Sequence, residues 1–171
     1  MNTGQTLLTI GALILLGTTI VTTNRTSFQH GVILQQTEIG LYAVSVAQGL
    51  IEEAAGKAFD SYTAPPLDTT LNTQIATSVS DLSTTLGPET GEVYPNFDDF
   101  DDYSTATPRS VFITGVDTLK IWATVFYINP SNPNTDAGTR TWHKRMLVSV
   151  TGPSMLDTIN VPYIFSYWYF R

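Results

Sequence analysis

Cysteine is absent from the 171 residues of this chain, which excludes disulfides and thiolate-bound zinc. Charge is scarce at 13%, and what there is leans acidic: 8 Lys and Arg against 15 Asp and Glu, for a net charge of −7. A partner with a phosphate backbone requires the opposite sign, so no nucleic-acid binding is predicted. The two histidines, His30 and His143, stand far apart without a spaced partner. No Gly-x-Ser-x-Gly, phosphate-binding Gly-x-x-x-x-Gly-Lys or His-Glu-x-x-His pattern occurs, and the chain reads as a non-enzyme. Two further absences are positional. No charged side chain precedes Arg25, and no proline precedes Pro65.

An uncharged start without a breaker predicts a continuous helix. Its most apolar stretch, Leu7 to Val21, is near the short end of what spans a bilayer, where about 20 residues are needed. Three readings fit. A secretory signal peptide calls for an early positive charge and a small-x-small cleavage site, and neither is here. A plain membrane anchor accounts for the apolar run but not for the helical pattern that continues beyond it.

The third reading rests on Gly4-Gln5-Thr6-Leu7-Leu8-Thr9 leading into the apolar run. This start resembles that of type IV pilins and pseudopilins, with Gly4, Thr6, Leu7 and Leu8 as the matching positions. The resemblance implies a leader removed by a prepilin peptidase between Gly4 and Gln5, methylation of the new N-terminus, and residence in the inner membrane before assembly machinery adds the subunit to a filament. Leu7, Leu8, Ile10, Leu13, Ile14, Leu15, Leu16, Ile20 and Val21 would pack in the filament core. Gln5 and Thr9 depart from the family pattern, which has Phe or Met and then a glutamate at these places. A neutral Thr9 can cap the helix or bond its backbone at less electrostatic cost in an apolar core.

From Phe28 onward, apolar residues recur at Val32, Ile39, Tyr42, Val46, Leu50, Ala54 and Ala58, the spacing of one helical face. The helix is expected to continue to about Tyr62 and to be stopped by Pro65-Pro66. Around the junction with the apolar run, Gly17, Thr22, Thr23, Asn24 and Gly31 lower helix propensity, and unwinding or a bend is predicted within residues 17–31. The Thr- and Ser-rich stretch from Pro65 to Gly91, with Leu67, Leu71, Ile75, Val79, Leu82 and Leu86, reads as loop with some strand.

Four segments read as strands: Ser110–Thr114, Leu119–Asn129, Thr141–Thr151 and Thr158–Tyr169. Asn129 to Gly138 has the chemistry of a hairpin loop. His143, beside Trp142 and Lys144, is most simply surface-facing. The aromatic run Tyr163 to Phe170 reads as a central strand buried on one face, or alternatively as an intersubunit or ligand-facing patch. The fold class is therefore α+β: a long N-terminal helix, apolar in residues 1–24 and amphipathic in 25–62, on an antiparallel sheet within a head of residues 63–171. Type IV pilins share that arrangement, and Lys144 to Val150 resembles a strand common in pilin-like heads.

Asp98-Asp99-Phe100-Asp101-Asp102-Tyr103 places four carboxylates within five residues. One reading is calcium binding by Asp98, Asp99, Asp101 and Asp102, since calcium takes six to eight oxygen ligands. The other is a structural loop whose aromatics anchor in the core while the aspartates cap amides or face water. The pattern is also similar to one in minor pilins of the mannose-sensitive haemagglutinin type. Taken together, the sequence reads as a subunit of an extracellular pilus-like filament whose main partner is itself. A pseudopilin of a secretion machine and a monomeric membrane-anchored binding protein are the alternatives.

Overall fold

The computed structural model describes residues 2–64, 74–105, 107–115 and 117–167. Pro65, Pro66, Leu67, Leu71, Trp168, Tyr169 and Phe170 lie outside that set, and so do the expectations placed on them. One helix, α1 (Thr3–Ala55), is followed by five strands: β1 (Arg109–Ile113), β2 (Asp117–Asn129), β3 (Asn132–Asp136), β4 (His143–Thr151) and β5 (Ile159–Ser166). The chain has the expected α+β architecture. It divides into two compact units, Met1–Ile39 and Gly40–Arg171.

In the first unit, residues 17–31 are helical throughout, where unwinding or a bend around Gly17, Thr22, Thr23, Asn24 and Gly31 is predicted from sequence. The threonines explain the difference. Thr18 and Thr19 donate to the Leu15 carbonyl (3.0 and 2.7 Å), Thr22 to that of Thr18 (2.6 Å) and Thr26 to that of Thr22 (2.9 Å). Hydroxyls bonded this way sit inside a helix, and their low propensity costs only a few tenths of a kcal/mol each.

The second unit opens with the last turns of α1. Its buried stripe is Ala43, Ala47, Leu50, Ile51 and Ala54. This lies one residue on from the predicted Tyr42 and Val46, of which Tyr42 is exposed and Val46 half-buried. The small side chains let the helix lie close, and a Cβ on Gly40 would meet Ile159 at 3.8 Å.

α1 ends at Ala55, seven residues before the expected Tyr62. The last turn tightens, with the Lys57 amide donating to the Ala54 carbonyl (3.1 Å). The backbone then leaves to make a parallel bridge with the acidic segment. The Ala58 amide donates to Asp98 O (3.2 Å), and the Ala58 carbonyl accepts from the Phe100 amide (2.9 Å). That bridge drops Phe59 into the core.

The sheet is antiparallel, in the order β1-β2-β4-β5, with β3 also paired to β2. β3 lies inside the stretch expected to be only a loop. Pro130 and Ser131 turn the chain so tightly that Asn132 pairs with Asn129, with a register shift at Ile128. β5 ends the strand order among the described residues, so the part of the aromatic run within it, Tyr163 to Ser166, belongs to an edge strand rather than a central one. Between Gln74 and Gly91 there is loop with one short 3-10 turn, Val79–Asp81, and no strand. The core face carries Leu119, Ile121, Ala123, Val125 and Tyr127 of β2, and Met146, Val148 and Val150 of β4. Burying this apolar set is the main favourable contribution to the head's stability.

Candidate functional site

Two features stand apart from ordinary core and surface, one in each unit. In the first unit, Leu7, Leu8, Ile10, Leu13, Ile14, Leu15, Leu16, Ile20 and Val21 are all between 54% and 76% exposed. At 100° per residue these positions run around the whole helix rather than along one stripe. By length and composition this helix can cross a membrane. Gly4 and Gln5 are already inside it, and the Gln5 amide donates to Asn2 O (2.9 Å). Thr9 donates its hydroxyl to the carbonyls of Gln5 (2.7 Å) and Thr6 (3.1 Å). Beyond Val21 the exposed apolar side chains continue with Phe28, Val32, Ile33 and Leu34.

In the second unit the acidic segment folds inward. Phe97, Phe100 and Tyr103 are buried, and so are Asp99, Asp101 and Asp102; Asp98 is half-buried. Asp99 Oδ1 accepts from the amides of Asp101 (2.8 Å) and Asp102 (3.2 Å). Asp102 Oδ2 accepts from those of Asp98 (3.0 Å) and Asp99 (3.1 Å). The two side chains thus cap each other's backbone, as the structural-loop reading expects.

Asp101 does something the sequence reading did not foresee. It pairs with Lys144, which is fully buried on β4 in register with Tyr127 on one side and Phe165 on the other. Lys144 Nζ also donates to Asp60 Oδ2 (2.7 Å) and to the Phe59 carbonyl (2.7 Å). Asp60, just past the end of α1, further accepts from the Tyr127 hydroxyl (2.8 Å) and the Ser83 amide (2.9 Å). Burial works to raise the Asp60 carboxyl, but the Lys144 charge and these hydrogen bonds outweigh it and hold the group below its ordinary value. Burial likewise pushes Asp101 up, against the pull of Lys144.

Asp99 and Asp102 have no such partner. Burial, reinforced by the Asp101 charge, pushes Asp99 up to about 9. Burial raises Asp102 to about 6 against its two amide bonds. Glu92 is raised to about 7, first by desolvation. One oxygen each of Glu89, Glu92 and Asp102 lie within 4.8 Å of one another, and the same holds for Asp98, Asp99 and Asp102. Asp101, one of the four aspartates read from sequence as calcium ligands, is in neither group.

On the surface beside this centre, Glu53 of α1 accepts from Tyr103 (2.9 Å) and Tyr94 (3.2 Å). His143 is half-buried on the face of β4 opposite Lys144, with Nδ1 2.8 Å from Ser166 Oγ. Sequence reasoning missed Asp60, Lys144, Glu89 and Glu92. For Lys144 there was a signal: it is in phase with Met146, Val148 and Val150, so it points to the core face. Comparison with protein-family models, curated proteins and solved structures finds no match to this chain.

Proposed function

We propose that this chain is a structural subunit of an extracellular filament of the type IV pilus kind, polymerising through the first unit's helix. The carrying observation is the reach of exposed apolar surface along that helix. From Leu7 to Val21 it covers about 21 Å, which a bilayer core of about 30 Å hides completely. From Leu7 to Leu34 it covers about 40 Å, and Phe28 and Leu34 are 72% and 70% exposed. A lipid anchor alone leaves Phe28, Val32, Ile33 and Leu34 in water, interspersed with Arg25 and His30. Neighbouring copies of the same helix, staggered in an open helical polymer, cover both segments.

The likeness of Gly4 to Thr9 to a pilin start supports the same reading. It brings with it a prepilin peptidase, an inner-membrane stage and pilus assembly machinery as partners, and no catalytic role. Electron microscopy of material sheared from cells expressing the chain tests the proposal, with filaments composed mainly of this chain as the expected result. Leu34→Lys separates the polymer from a monomeric anchor. It should abolish filaments while leaving the protein in the membrane fraction, because each subunit loses about 1.5–3 kcal/mol of apolar burial and gains a buried charge. Filaments of normal yield from Leu34→Lys would overturn the axial-packing reading.

A further inference from the structure

Charge in the head's interior does not balance. Among the described residues, Asp60, Asp99, Asp101 and Asp102 are fully buried, and Lys144 is the one fully buried cation. Its ammonium is committed to Asp60 and Asp101. Among the described residues, Asp99 Oδ2 and Asp102 Oδ1 are buried and find no hydrogen-bond partner. An unpartnered buried carboxylate oxygen is costly, since it has given up water and received nothing in return.

The two aspartates that carry the orphan oxygens belong to a cluster of the right dimensions for an ion. Asp102 is the corner shared by both carboxylate triads, and within each triad one oxygen from each residue lies within 4.8 Å of the others. Calcium holds oxygens at 2.3–2.6 Å, so two ligands on opposite sides of it are about 5 Å apart. The two other oxygens of these aspartates are already fixed by backbone amides, which locks both carboxylates in place before any ion arrives. Glu89 is exposed, while Glu92 and Asp98 are half-buried, so the cluster has an open outer side toward water.

We propose that the head binds one calcium ion, anchored on Asp99 Oδ2 and Asp102 Oδ1, with Asp98 completing the inner set and Glu89 and Glu92 closing the solvent side. An all-carboxylate set excludes soft metals, and two carboxylate triads that share Asp102 suit the loose geometry of calcium better than the strict octahedron of magnesium. The ion would supply the positive charge that Lys144 does not.

The test uses the full chain in detergent, stripped with a chelator and titrated with calcium chloride by calorimetry, alongside thermal unfolding read by tryptophan fluorescence. The expected result is one site per chain and a melting temperature about 5–10 °C higher at a hundredfold excess over Kd than in chelator. Asp102→Asn should lose both the heat and the shift. Should Asp102→Asn fail to fold, Glu89→Gln/Glu92→Gln alters only the outer side and should weaken calcium binding at least tenfold. No heat and no shift in the unaltered protein overturn the site. Undiminished affinity in the double variant overturns the placement, and an equal response to magnesium overturns the calcium assignment.

Discussion

Lys144→Met is the sharpest probe of the head. Methionine matches the apolar stem of lysine and removes only the ammonium, which donates to Phe59 O, Asp60 Oδ2 and Asp101 Oδ1. The Phe59 carbonyl loses this donor, and the two fully buried carboxylates of Asp60 and Asp101 lose the ammonium that pairs with both. Breaking a buried ion pair by removing one partner costs about 3–5 kcal/mol. For a domain of this size that corresponds to roughly 10–20 °C in melting temperature. The assay is thermal and denaturant unfolding of the full chain in detergent, followed by near-ultraviolet circular dichroism, which reports the packed aromatics and not the helix. A double-variant cycle then isolates the pair. Asp60→Asn in the Lys144→Met background should cost much less than Asp60→Asn alone, giving a coupling of at least 1 kcal/mol. A Lys144→Met protein within about 1 kcal/mol of the original, or additive single effects, would refute the claim that this network holds β4 to the end of α1.

Two other outcomes follow from the same geometry. In chelator, the head should lose stability as pH rises from about 5 to about 9. Asp99, whose carboxyl burial and the Asp101 charge push up to about 9 despite Lys144, keeps a proton over that range that the unfolded chain releases above about 4, and Asp102 and Glu92 act in the same sense. Below about pH 4 stability falls again as Asp60, held low by Lys144, is protonated, so a melting temperature that climbs from pH 5 to 8 contradicts the assignment. Gly152→Ala should destabilise by about 1–3 kcal/mol in urea unfolding, because its Cβ would sit 2.6 Å from Cδ2 of the fully buried Leu119; an unchanged midpoint would show that the turn yields freely.

Local order in this chain was legible where one pattern dominates. β2 alternates Leu119, Ile121, Ala123, Val125 and Tyr127 inward, and a period of two is that of a strand buried on one face. α1 was legible because no proline stands among its 53 residues. Its end was not, because Gly56 reads no differently from Gly31, Gly40 and Gly49, which the helix runs through. What ends α1 is the bridge between Ala58 and Asp99, a pairing of residues 41 positions apart. β3 was hidden for a related reason: Asn132 and Pro133 have turn chemistry, and only the tight turn at Pro130-Ser131 brings them against β2. The acidic loop was legible as a unit, and the inward turn of its aromatics follows from Phe97, Phe100 and Tyr103. Which aspartate meets a cation depends on Lys144, 43 residues downstream of Asp101, and local sequence holds no trace of that distance.

Thr9 bears on how such a subunit would choose its neighbours. Its hydroxyl is already bonded within its own helix, to Gln5 and Thr6, and the 24 residues before Arg25 offer no charged side chain to a partner. On the filament reading, association over Leu7–Val21 then rests on apolar burial and shape alone. Burial of this kind is strong but non-directional, and helices held only by it slide past one another at little cost. Buried polar and ionic groups are the devices that fix register in helical assemblies. The first ionisable side chains along α1 are Arg25, His30 and Glu38, all exposed and interleaved with Phe28, Val32, Ile33 and Leu34. The segment that lipid cannot cover is thus also the first that could set the stagger between subunits. On the filament reading, a bundle whose register is fixed there needs no charge at its apolar end, and a neutral Thr9 is what that reading expects.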